Sequence, residues 1–104
     1  MDQLRTVFSR ACSAANSGQY EAALKDFIWL HDHPDRNDLS SEVFRRANGF
    51  SVWALMGTHY PPAADKMREL LNIKVTHLKL HPDDQFVRAD AGAMQQALAM
   101  YDLN

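Results

Sequence analysis

Glycine and proline fall at few places in this chain, and Gly18, Pro34, Pro61–Pro62 and Pro82 cut it into five stretches. Each stretch repeats apolar residues at the spacing of one α-helix face, and none alternates as a half-buried strand does. That pattern constrains the chain to an all-α fold. It predicts helix 1 over about 2–16, with Leu4, Val7, Phe8, Ala11, Ala14 and Ala15 on one side. Helix 2 follows over about 19–32, with Tyr20, Ala23, Leu24, Phe27 and Ile28. Helix 3 is expected over about 41–59, with Ser40 as its N-cap and Leu39 and Phe44 as a hydrophobic staple across that cap. Pro62 opens helix 4 in its first turn, where a missing N–H is no loss. Its stripe is Ala63, Met67, Leu70, Leu71, Val75 and Leu78. Asp83 is expected to cap helix 5, over about 84–101. Short connections lay sequential helices antiparallel, so the expectation is five antiparallel helices.

Length and charge narrow the setting. A chain of 104 residues suits one domain, 1–104, and buries roughly two thirds of its extended surface. A formal charge of -2 gives no electrostatic reason to expect nucleic acid. Cys12 is the only cysteine, so no internal disulfide can form, and a reducing cytoplasm is the expected setting. The opening "MDQLRTVFSR" lacks the basic start and apolar run of a signal peptide. No window approaches the roughly 20 apolar residues that span a bilayer. The expectation is a soluble protein without nucleic-acid or membrane partners.

The stretch "SGQYEAALKDFIWL" carries the most local information. Gly18 can take the left-handed conformation that ends helix 1. Ala23 lets two helix backbones approach, Phe27 fills the space one turn on, and Pro34 closes the unit. This order resembles the tetratricopeptide repeat, whose later half reads A-x3-F…P. The resemblance covers about 2–34, although Val7, Arg10, Ala11 and Ala14 stand where the family prefers Trp, Leu, Gly and Tyr. A divergent second unit covers about 40–81. There Phe50 and Ser51 take the Leu-Gly places, Tyr60 the aromatic, Ala63 the small contact and Met67 the bulky one. The closing prolines, Pro34 and Pro82, lie further apart than the family's period of about 34 residues. "WALMGTHYPPAADKM" also looks like divergent bacterial repeat proteins with a YPPA turn. An unrelated five-helix bundle obeys the same packing rules and remains the alternative.

The resemblance implies a protein–protein interaction module without catalytic activity. Its helices stack as a superhelix, helix 5 (about 83–101) is the terminal capping helix, and a protein or peptide partner lies in a groove. Groove helices 1, 3 and 5 offer Arg5, Arg45, Asn48 and Arg88. Arg45 and Asn48, one turn apart, could hold a partner's carboxylate, which loosely resembles the carboxylate clamp of some family members. A solvated charged face is the plainer reading of the same residues. Helix 5 carries two apolar stripes where a cap should be polar outside. One is Val87, Ala91, Met94, Leu98 and Tyr101; the other is Phe86, Ala93, Ala97 and Met100. The second stripe suggests a homodimer through this helix, against the alternative that the helix sinks between helices 3 and 4. Trp53, at helical spacing from Phe50, is expected in the core.

Chemistry has thinner support. His77 and His81 share a helix face, and His31 and His33 flank Asp32 with Asp35 beyond. Zinc needs three or four converging ligands, and histidine near a helix C-terminus also serves the dipole. No metal or other cofactor is therefore expected, and a metal-dependent hydrolase is the remotest alternative. "HPDRN" at 33–37 resembles the loop of a J-domain co-chaperone, but the acidic, Trp-bearing helix before it does not. Proline stopping a helix and aspartate starting the next structure is the local reading. Cys12 lies mid-helix, no nucleophile elbow or phosphate loop occurs, and Glu21, Glu42 and Glu69 are expected on helix exteriors. A small helical inhibitor of immunity type, or a chaperone-associated protein, would need only the same rigid helical face.

Overall fold

The computed structural model describes residues 3–104, so the start of helix 1 expected at Asp2 lies outside them. Every regular element among the described residues is helical: α1 (Gln3–Asn16), α2 (Tyr20–Asp32), α3 (Leu39–Phe44), a π-helical segment (Arg45–Gly49), α4 (Phe50–Gly57), α5 (Pro61–Leu80) and α6 (Gln85–Met100). Backbone angles stay in the right-handed helical region through both ends of the π segment. Residues 39–57 therefore form one continuous rod with a widened turn, where a regular helix over 41–59 was expected.

The ends of the helices have identifiable causes. Gly18 takes φ +77, and the amides of Gly18 and Gln19 bond back to Ala15 and Ala14 in the Schellman pattern. The same pattern closes α6. Asp102 holds the left-handed position at φ 56, and the Asp102 and Leu103 amides reach Ala99 and Leu98. Two expected caps are displaced. Asp38, not Ser40, caps α3 by accepting from the Ser41 amide, and Leu39 projects into solvent, so no staple forms. Asp84, not Asp83, caps α6 through the Val87 amide. Pro61 and Pro62 open α5 as first-turn residues.

One apolar cluster gathers residues from α1, α2, α4, α5 and α6, with Phe44 of α3 packed on its edge. Helix α1 packs on α2, α4 on α5, and α6 on both α4 and α5. The alanines expected to mesh the helix pairs, Ala23 and Ala63, are fully buried, as is Phe27. Trp53 is a core residue; its ring nitrogen donates to the Ala63 carbonyl at 2.9 Å and fixes α4 to the first turn of α5. Gly57 lies so close to α5 that a Cβ there would stand 3.0 Å from the Ala64 Cβ. The molecule measures 40 × 34 × 19 Å. Its short axis is about two helix diameters, which makes it a slab.

Candidate functional site

Two places bear on the expected site residues first: a buried charge cluster at the π segment, and a groove beside α6. The cluster begins on one stripe of the 39–57 rod. Glu42, Arg45 and Gly49 share the inward face with Trp53 and Met56. Arg45 is fully buried, and its guanidinium bonds Glu42 at 3.0 and 3.2 Å and Asp90 of α6 at 2.7 Å. Arg46 donates to the same Asp90 oxygen at 2.7 Å, while Lys74 of α5 stands 3.6 Å from the other. The second Glu42 oxygen also accepts the Asp35 amide at 2.9 Å. The guanidiniums of Arg36, Arg45 and Arg46 surround the Phe86 ring at 3.8, 5.5 and 5.0 Å.

These contacts set the charge states. Burial alone would raise the Asp90 carboxyl, but the guanidiniums and Lys74 outweigh it and hold Asp90 below the usual aspartate range. Burial pushes the Lys74 ammonium down, against the pull of Asp90. Three cations thus meet two carboxylates inside the slab, joining α3, the π segment, α5 and α6. The arrangement is a structural tie, and it uses up the groups that a ligand would need.

Arg45 therefore does not stand in a groove as the carboxylate-clamp reading required. It already clamps two carboxylates of its own chain. Glu42, expected on a helix exterior, is buried for the same reason. The other polar candidates do not converge with it. Arg5 is exposed, its guanidinium 4.2 Å over the Phe44 ring. Asn48 is exposed on the π segment. Arg88 donates to the Pro82 carbonyl at 2.6 Å and lines a separate groove with Val75, Leu78 and Gln95. The signal for the buried cluster was present in the sequence: Glu42 and Arg45 repeat at core spacing with Trp53 and Met56, and Asp90 precedes Met94 by one turn.

The groove beside α6 has a volume of about 360 Å³. Val43, Ala47 and Ser51 form one wall, and Ala93, Ala97 and Met100 the other, with Arg46 and Gln96 also lining it. Three of the four residues expected at an oligomer interface thus come together. Met100 is 63% exposed and Val43 55%, whereas Ala97 is buried and belongs to the core. Phe86, the fourth, is half-buried under its three guanidiniums and lies outside the groove.

A second cleft, of about 400 Å³, lies between α4 and the α1–α2 turn, lined by Cys12, Ala15, Tyr20, Val52, Met56 and His59. Tyr20 stacks on Tyr60 there at 5.5 Å. Burial raises the Cys12 thiol, which keeps it protonated at neutral pH. The histidines are engaged locally. His33 stacks on Trp29 and its Nδ1–H donates to the Trp29 carbonyl at 2.9 Å. His77 donates to Asp84 at 2.9 Å and its ring lies 4.7 Å from that of His81. Among the described residues, no three His, Cys, Asp or Glu side chains gather in a way that could hold a metal ion. None of the helices among those residues is long and apolar enough to cross a membrane. No family model, curated protein or solved structure matches this chain.

Proposed function

We propose that this chain is a non-catalytic protein–protein interaction module of tetratricopeptide type, working in the cytoplasm. In this reading α1 with α2, and the 39–57 rod with α5, are antiparallel helix pairs, and α6 is the terminal helix. The buried alanines at both meshing positions and the slab two helices thick support that arrangement. The docking face is the groove between the rod and α6. The observation that carries this reading is the exposure of Val43 and Met100 on facing walls, with small alanines between them. Exposed apolar side chains that frame a shallow trough suit the apolar face of a partner helix or peptide.

The test uses Val43→Asp with Met100→Glu, a pair that charges the groove and leaves the core untouched. Wild-type protein fixed on a support should retain a specific partner from host extract. The double variant, with unchanged helicity and melting temperature, should lose it. Equal retention by both forms overturns the groove as the docking face. The same trough could seat a second copy of the chain, because Ala93 and Met100 belong to it. Light scattering at tens of micromolar decides that point: a dimer abolished by Met100→Glu supports self-docking, and a monomer overturns it.

A further inference from the structure

His31, in the last turn of α2, takes no part in the docking groove. Its ring Nδ1–H donates to Asp32 Oδ1 at 2.8 Å, so the neutral ring keeps its lone pair on Nε2. That Nε2 is buried and has no hydrogen-bond partner. Charged groups face it from α2 itself, the π segment, α5 and α6. Asp32 lies on α2 itself, more than half exposed. The π segment contributes Arg45, which also donates to the His31 backbone carbonyl at 3.4 Å. Lys74 on α5 repels a charged ring, and Asp90 on α6 attracts one. From α4 comes only the Phe50 ring, 6.5 Å away.

A proton on Nε2 would therefore create an N–H donor with no acceptor, in the field of the Lys74 cation. Asp90 cannot compensate fully, because its two oxygens already serve Arg45, Arg46 and Lys74. Asp32 attracts from the solvent side, where water screens it. We propose that His31 is an acid-sensitive latch: neutral, it holds the end of α2 against the π segment and α4; protonated, it releases that end.

The direction follows from linkage. Burial chiefly, with Lys74, lowers the folded-state value of His31 below the ordinary 6.5, while Asp32 and Asp90 oppose without prevailing. In the opened chain the ring titrates near about 6.5. As pH falls below that value, the opened form takes a proton that the closed form refuses. The closed form loses ground until pH reaches its own, lower value. One such proton changes the unfolding constant by at most about tenfold per pH unit.

The test is urea unfolding of wild type, His31→Gln and His77→Gln between pH 7.5 and 5, with the histidine ring protons followed by NMR over the same range. The unfolding constant of wild type should climb toward that limit as pH falls, and that of His31→Gln should climb clearly less. His77→Gln is the control and should follow wild type, because its ring bonds Asp84, away from the end of α2. Parallel curves for wild type and His31→Gln overturn the latch. If His31→Gln fails to fold, the wild-type ring decides. A His31 midpoint below the ordinary value, coincident with loss of amide protection at the end of α2, supports the proposal. A midpoint at or above the ordinary value overturns it.

Discussion

Arg45 is the fully buried cation of the charge cluster, and removing it takes hydrogen bonds from both Glu42 and Asp90. Its guanidinium is fully enclosed and divides its N–H groups between Glu42 and Asp90. Deleting one partner of such a pair costs roughly 3–5 kcal/mol. Arg45→Ala should therefore lower unfolding stability in urea by about that much, and a loss under about 1 kcal/mol would show the cluster to be solvated. Arg45→Lys should restore little, because an ammonium cannot span two carboxylates as a planar fork does. At the other end of the chain, Asp102 carries a Cβ in the left-handed region at φ 56. Asp102→Gly should raise stability by up to about 1 kcal/mol, read from the same urea curves. Residue identity alone misled about Arg45. A basic residue at helical spacing reads as solvated surface, and the carboxylate that makes its burial tolerable lies far along the chain, on α6. No local spacing reveals that pairing, although the shared stripe with Trp53 hinted at it.

Among the helices, close approach and local widening matter more than propensity. Gly57 ends α4 against α5, where a Cβ would meet the Ala64 Cβ, amide and Cα within 3.3 Å. Much of that contact is backbone and cannot swing aside. Gly57→Ala should cost about 1–3 kcal/mol. Gly92 lies inside α6, and a methyl group added there would have nothing within 4 Å of it. Gly92→Ala should gain up to about 1 kcal/mol from helix propensity. Thermal melts of the two variants, one moved down and the other up, check the pair. Helix existence was legible from apolar period and the Gly18 and proline breaks, and element positions held to within a few residues. The π segment was not legible, because a widened turn keeps the same residue types and depends on tertiary contacts around Arg45 and Gly49. The caps failed by one or two positions for a plain reason. Asp38, Ser40 and Ser41 compete at one helix start, and Asp83 and Asp84 at another, and side-chain geometry chooses between them.

Across the whole molecule, pH should act in two stages. The first is the loss of stability at His31, beginning near about pH 6.5. The second belongs to carboxylates whose folded-state values are lowered: the caps Asp38 and Asp84, by the amides they accept from, and Asp90, where the guanidiniums and Lys74 outweigh burial. Their contribution is complete above the unfolded value of about 3.9 and vanishes as pH falls through the folded values. Unfolding midpoints taken from pH 7 to 2 should show a gentle decline, then a steep one below about pH 4; a single decline would contradict the assignment. The all-helical architecture was open to a reader of the sequence because Ala23, Phe27 and Ala63 declare which faces mesh. The groove beside α6 was legible in part, since Ala93, Ala97 and Met100 share an apolar stripe in the sequence, but its opposite wall on the rod was visible only once folded. The tie between Arg45 and Asp90 also has a meaning in time. A ribosome making this chain releases the arginine long before the aspartate that neutralises it. Until α6 emerges, Arg45 has Glu42 of its own rod as its one carboxylate partner, and the interior stays open on the side that α6 covers. Proteases and chaperones would meet that half-built form, so cellular yield should depend on how quickly the last helix is delivered.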